Sequence, residues 1–563
     1  LDHQQLIENN TFKMKNLKYI VLASSLLFFT NCNDPEDVDL NPILEETLPE
    51  LTAGSADFSN YVALGNSLSA GFTDGSLFKA AQENSLPNIL SQKFALGGGG
   101  SFSQPLTNDN FGGLAAGGVR IQNPRLVFGG AGPVGLETIV GPVTVTTDIA
   151  LNNPAGPFNN LGVPGAKSFH LLAPGYGNLG NVALGLANPF FVRMTGSMPN
   201  ASVLDLTMAQ SPSFFSLWIG NNDVLGYATT GGDGTNPITP VNGAPGVGFD
   251  GSYGALVASL TSGGAGGIVA NIPDVTSIPH FTTVPHNPLN PTNPDFGPLI
   301  PTLNGIFGQL NQVYAFLESV NPAISAEERS ILFSETAASE VVIRDETLTD
   351  LSAQITGVLL QSPTFPAFVQ SFGLPAQAAP VVAGLLGSTY GQAREATEAD
   401  LFVLPSSVVI GNPNLDVVAA LMAQGLPQAL AGQFAVEGIT LPLADKWVLL
   451  PSEQQEIAVA TEAFNAIISA TASGAGLAFV DANALLNQIA SGGVTSGRYT
   501  LRSNLVTGGA FSLDGIHPTA RGYALLANEF MKAIDVTYGS NFEASGNLVN
   551  LGNYPTNYSP ALQ

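Results

Sequence analysis

The sequence predicts an α/β fold in which a parallel sheet is covered by helices and interrupted by large insertions. Short apolar runs bounded by Gly, Pro, Asn or Asp at residues 61–64, 214–219, 267–272 and 477–481 have the length and flanks of buried strands. Helix-like stretches at 253–260, 303–320, 454–472 and 519–534 alternate with them, and in the last of these Tyr523, Leu526, Ala527 and Phe530 recur at helical spacing. Such alternation implies a parallel sheet buried on both faces, with functional side chains gathered at the carboxyl ends of its strands. At 563 residues the chain is long enough for several domains, yet its most reactive residue types stand near the two ends of this region. One large domain with insertions is therefore expected rather than a string of modules.

The N-terminus has the pattern of an export signal. Met14 opens the basic stretch Met14-Lys15-Asn16-Leu17-Lys18, an apolar run from Tyr19 to Phe29 follows, and the only cysteine, Cys32, comes next. Residues 1–31 are read as an upstream extension plus signal peptide. Cys32 resembles the lipidated first residue of a bacterial lipoprotein, with Asn31 where a small residue is usual and Phe29 where Leu is. An ordinary secretory peptide with an incidental cysteine is the alternative. Residues 32–57 begin with the acidic run Asn33-Asp34-Pro35-Glu36-Asp37-Val38-Asp39, which resembles the surface-export signal of Bacteroidetes lipoproteins and equally suits a solvated tether. A single cysteine excludes an intrachain disulfide.

Residues 58–537 are expected to form the main domain, leaving 538–563 as a C-terminal tail. Residues 95–157 are rich in Gly, Pro and Asn and predict an irregular insertion, with one hairpin suggested by the Val143–Thr147 alternation. Residues 275–450 form the larger insertion. Within it, Ala399-Asp400-Leu401-Phe402 and Ala444-Asp445-Lys446-Trp447-Val448 echo one another as two strands of a ribbon. Apolar helical pieces at 365–386 and 415–434 suit either a lid over an acyl pocket or a packing subdomain.

Composition limits the function classes. The formal charge is −26, and the chain stays about as acidic once residues 1–31 are removed, so nucleic acid and anionic headgroups are repelled. Membrane attachment must then come from a lipid anchor rather than a basic patch. Charged residues make up only 11% and mean hydropathy is +0.23, values that suit a large core or an apolar cavity. No cysteine cluster, His-x-x-x-His or calcium-loop spacing is present, so neither a metal nor another cofactor is expected. No phosphate-binding glycine loop or Gly-x-Ser-x-Gly elbow appears either.

Four segments carry chemistry. Gly65-Asn66-Ser67-Leu68 follows the apolar run Tyr61-Val62-Ala63-Leu64, which places Ser67 where a strand gives way to a helix and its own N–H can face an oxyanion. Asn160-Leu161-Gly162-Val163-Pro164-Gly165-Ala166 offers a bare glycine backbone. Leu217-Trp218-Ile219-Gly220-Asn221-Asn222-Asp223 ends a strand in side-chain amides, with Asp223 expected to brace the loop. In Asp514-Gly515-Ile516-His517-Pro518 one turn can hold a carboxylate against an imidazole. His280 and His286, and His170 after Gly165, are open to substrate contact or to solvation.

In order and in content these four segments resemble the blocks of the SGNH (GDSL-type) hydrolase superfamily. The resemblance covers roughly residues 58–80, 155–275 and 450–537. It implies a three-layer α/β/α sandwich of flavodoxin-like type with Ser67 as nucleophile, Asp514 and His517 as acid and base, and Ser67, Gly165 and Asn222 as the oxyanion hole. Asn66 stands where the family carries Asp, which predicts an altered hydrogen bond rather than a dead site. The implied activity is a serine esterase or lipase acting on acyl esters of a lipid or an acylated glycan, anchored through Cys32 at the outer membrane or cell surface. A carbohydrate O-acetylesterase and a non-catalytic surface binding lipoprotein on the same scaffold are the rival readings, and the oligomeric state is left open.

Overall fold

A computed structural model describes residues 48–563. Cys32, the signal segment and most of the acidic tether lie outside the described residues. The centre of the fold is a five-stranded sheet of β1 (Tyr61–Gly65), β2 (Asn160–Gly162), β3 (Phe214–Trp218), β4 (Gly266–Ala270) and β5 (Ala478–Val480). Every pairing is parallel, and the spatial order is 2-1-3-4-5. Every residue of β1 and β3 is buried. Because successive strand side chains point to opposite faces, this burial means that helices cover the sheet on both sides.

The helices include α1 (Ser67–Ala70), α2 (Leu86–Leu96), α3 (Asn221–Thr229), α4 (Phe249–Thr261), α5 (Pro279–Thr282), α6 (Ile300–Val320), α7 (Pro451–Ala475), α8 (Ala482–Ser491) and α9 (Ala520–Tyr538). Helix α9 buries Tyr523, Leu526, Ala527, Phe530, Met531 and Ile534, the stripe its spacing predicts. Each large apolar side chain so buried stabilises by about 1.5–3 kcal/mol, so the start of α9, just past His517, is held firmly to the sheet. Thr519 caps it by accepting from Gly522 N–H at 3.0 Å.

Strand register explains how distant segments meet. Gly65 pairs with Gly162 on one side and with Trp218 on the other, so β1, β2 and β3 end at one level. The residues that follow each end, Asn66-Ser67, Val163 to Gly165 and Asn221-Asn222, emerge together at the carboxyl edge. Only glycine fits at Gly162, where a Cβ would lie 2.4 Å from Ala70 N of helix α1. Three of the predicted strands are thus the middle and one flank of the sheet, and 477–481 becomes its edge. Residues 160–162, not among the predicted strands, form the other edge strand.

The insertions depart further from expectation. Residues 95–157 hold two hairpins, Leu114–Ala116 with Val119–Gln122 and Leu126–Phe128 with Pro133–Gly135, whereas Val143–Thr147 forms no strand. Those threonines instead help to hold the segment, Thr147 Oγ1 accepting from Asn108 N–H at 3.0 Å. The predicted ribbon is present as Leu401–Phe402 paired antiparallel with Val448–Leu449. Most of the 275–450 insertion packs on its own apolar cluster, including Phe296, Leu303, Phe307, Phe333, Leu359 and Tyr390, separate from the cluster around the sheet. Among the described residues no single helix is long and apolar enough to cross a membrane. The 538–563 segment is packed, not loose: buried Arg125 donates to Ser559 O at 2.7 Å and Tyr558 meets Phe78 edge to face.

Candidate active site

Ser67 opens α1, directly after β1, and is 7% exposed. Asn66 caps that helix, its Oδ1 accepting from Leu68 N–H at 3.0 Å while its Nδ2 donates to Asn221 Oδ1 at 3.0 Å. Asn66 therefore links the turn that carries Ser67 to the first residue of α3. Gly71, left-handed at φ 81°, ends the helix after one turn by donating to Ser67 O.

His517 Nε2 lies 2.9 Å from Ser67 Oγ, and His517 Nδ1 lies 2.8 Å from Asp514 Oδ2. Asp514 Oδ1 also accepts from Ser512 Oγ and from the Ile516 and His517 N–H groups at 2.9–3.0 Å, and Oδ2 accepts from Gly75 N–H at 2.9 Å. Burial alone would raise the carboxyl of Asp514. The facing His517 and these donors outweigh it and hold the group far below the usual carboxylate range. An ionised Asp514 only accepts, so Nδ1 of His517 carries the proton and bare Nε2 is left to accept from the serine hydroxyl. The Phe72 ring, 4.7 Å from the imidazole, helps fix its plane.

A second carboxylate stands behind the first. Asp74, 1% exposed and at φ 52°, accepts from Leu513 N–H at 3.0 Å, and its own N–H donates to Ser512 Oγ at 3.0 Å. Burial, then the nearby Asp514, pushes its carboxyl up to about 7, against the pull of the Leu513 N–H and of buried Arg125. Two neighbouring acids are thus driven apart, one ionised and one inclined to keep its proton. Sequence reading missed Asp74, Gly75, Arg125 and Ser512. Asp74-Gly75 reads only as a turn, and nothing local tells that it meets residues 512–514.

Three candidate hydrogen-bond donors lie at the same edge. Gly165, at φ 79°, sits in the turn after β2. Asn222 lies in the first turn of α3, where its Nδ2 donates one hydrogen to Ala166 O at 2.9 Å and keeps the other. Among the described residues the N–H groups of Ser67 and Gly165 make no hydrogen bond. Asp223, fully buried, accepts from Ser168 N–H at 2.8 Å and Ser168 Oγ at 2.7 Å, so it pins the Gly165 loop to α3 as a brace.

The histidines sort differently. His170 accepts from Lys167 N–H at 3.0 Å and stacks on Tyr176, and burial lowers its imidazole to about 4. His280, in α5, backs the Asp514–His517 turn by donating its N–H to Gly515 O at 3.0 Å, with both ring nitrogens buried and unpartnered among the described residues; burial holds it near 4. His286 lies in a different, polar cleft with Glu327 and Arg394. The fold also brings carboxylate oxygens of Glu346, Asp445 and Glu453 within 4.8 Å of one another, a grouping invisible in sequence because their segments are remote.

Beside Ser67 and His517 is an apolar cavity of about 90 Å³ walled by Leu225, Leu485, Leu486, Ile489, Phe511 and Ile516. Its walls come from α3, α8, α9 and the loops before α5 and α9, not from the body of the 275–450 insertion, for which a lid and a packing subdomain were the two expectations. No family model, curated protein or solved structure matches the chain.

Proposed function

We propose that the protein is a serine esterase of SGNH type. The observation that carries this reading is the continuous relay from Asp514 through His517 to Ser67, at 2.8 and 2.9 Å, placed beside three free hydrogen-bond donors. The flavodoxin-like strand order 2-1-3-4-5, with helices on both faces, supports the three-layer sandwich that goes with it.

In this mechanism Nε2 of His517 accepts the hydroxyl proton as Ser67 Oγ attacks the ester carbonyl. Charge develops on the carbonyl oxygen, where the N–H groups of Ser67 and Gly165 and the second hydrogen of Asn222 Nδ2 stabilise it. Imidazolium then protonates the leaving alcohol while Asp514, kept ionised by its donors, stabilises the cation. Water, deprotonated by His517, releases the acid from the acyl-enzyme. The small cavity at Ser67 favours short acyl groups, which keeps O-acetyl esters of a glycan as a second reading. Cys32, outside the described residues, is proposed as a lipid anchor at the cell envelope.

Turnover of p-nitrophenyl esters by the full chain and by Ser67→Ala tests the proposal. A fall of several orders of magnitude is expected, with unchanged circular dichroism. Wild-type turnover in Ser67→Ala would sink it.

A further inference from the structure

A cavity of about 930 Å³ lies between the 275–450 insertion, residues 128–133 and residues 505–507, and shares no lining residue with the cavity at Ser67. Phe128, Leu299, Leu303, Ile306, Phe434 and Ile439 are among its walls, and loop residues Leu505 to Thr507 close one side. Phe128 and Leu299 are 41% and 52% exposed, so apolar surface continues to the mouth. Protein interiors normally close such space, since unfilled apolar walls forfeit dispersion contacts. A volume of this size, apolar with few polar groups, is instead the form of a ligand site, for which roughly 300–1,000 Å³ is usual.

The lining also states which ligand. It holds no Lys, Arg or His, and its one ionisable group is the acid Asp295. A fatty-acid carboxylate or a phospholipid headgroup would find no counter-ion here, within a chain of net charge −26. Asn290 and Asn293 use Oδ1 to accept within their own turns, from Thr292 and Asp295 N–H groups, which leaves Nδ2 donors to offer a guest. Such donors suit the oxygen of a hydroxyl, ether or ester.

We propose that this cavity is a second binding site, distinct from the catalytic one, for an uncharged long-chain lipid with a neutral oxygen-bearing head. Hydrolysis at Ser67 is not needed for it. The probe is hexadecyl glyceryl ether, which no esterase cleaves, offered to the full chain and followed by native mass spectrometry and equilibrium dialysis.

One bound equivalent is expected in wild type and in Ser67→Ala alike, with hexadecanoate at pH 8 bound at least ten-fold more weakly. Ile306→Trp, which fills the cavity, should weaken ether binding at least ten-fold, whereas Leu485→Trp, at the catalytic cavity, should not. If Ile306→Trp fails to fold by circular dichroism, Thr302→Trp, on the exposed side of the same lining, carries the test. No bound ether, equal affinity for hexadecanoate, or loss in Leu485→Trp but not in the insertion variants would each overturn the proposal. Failure of the esterase reading would show separately, as turnover indifferent to Ser67→Ala.

Discussion

Gly75 N–H donates to Asp514 Oδ2 at 2.9 Å, joining the turn beyond helix α1 to the partner of His517 across 439 positions of sequence. Thr73 Oγ1 adds a bond to Pro518 O at 3.0 Å, and Tyr523 donates to Phe72 O at 2.8 Å. Segment 72–75 and segment 512–523 therefore form one frame, and the distance from Ser67 to His517 is set by that frame as much as by the sheet.

The acid at the back of this frame should show in stability. Asp74 has a folded-state value near 7, raised first by burial, against 3.8 for the free side chain. A raised value means that its contribution to stability is fully present below about pH 4 and lost as pH rises through 7. Asp74→Asn keeps the acceptor for Leu513 N–H, tolerates the left-handed backbone and carries no charge. Its melting temperature relative to wild type should rise steadily from pH 4 to pH 8, by an amount corresponding to roughly 2–4 kcal/mol. A difference independent of pH would show that Asp74 is ionised throughout.

The oxyanion assignment predicts a kinetic signature. Asn222→Ala removes one donor to the intermediate and one brace to Ala166 O, so kcat should fall about 100-fold or more with KM little changed. Steady-state kinetics on a short-chain ester will separate this from a substrate-binding role, which would move KM instead.

Asp514→Asn should leave the fold intact and cost about 10³–10⁴ in kcat, because an amide can donate to Nδ1 and select the wrong imidazole tautomer. Comparison of kcat with the melting temperature distinguishes this from simple unfolding.

Much of the sheet and the site was legible because their signals are local. Runs such as Phe214-Phe215-Ser216-Leu217-Trp218 are too apolar and too short for anything but a buried strand, and Asp514 to His517 is a single turn. The edge strand Asn160-Leu161-Gly162 was not legible. Three residues carry no periodicity, and its pairing is specified by β1 rather than by its own composition. Asp74 and Arg125 escaped for a related reason: a buried ionisable group is recognised by its partners, and several of theirs lie more than four hundred positions away at Leu513, Tyr558 and Ser559. The role of Asn66 was half legible. The sequence marks it as a departure, and the fold supplies Asn221 as its partner.

Gly162 offers a structural test of how tightly helix α1 is seated. A Cβ there would meet Ala70 N at 2.4 Å and Ser69 C at 2.7 Å, both backbone atoms that cannot rotate away. Gly162→Ala should destabilise by about 1–3 kcal/mol through overpacking and should lower kcat as well, since α1 must shift and carries Ser67 with it. Gly165→Ala meets nothing closer than Asn188 Nδ2 at 3.9 Å, so its cost comes from the φ of 79° alone and should be smaller. Denaturant unfolding of both variants gives the order.

The cavity at Ser67 predicts the acyl preference. Its volume of about 90 Å³ is small, room for an acyl group of a few carbons. Within that room each added methylene contributes about 0.8 kcal/mol, so kcat/KM should rise from acetate toward butyrate esters and fall for longer chains that meet Leu485 and Ile489. Leu485→Ala lengthens the cavity at a residue that is only partly buried, and the optimum should then move to longer esters with little loss of stability. Activity that climbs steadily to long chains in wild type would place the acyl group outside this cavity. An optimum unmoved by Leu485→Ala would show that another wall sets its length.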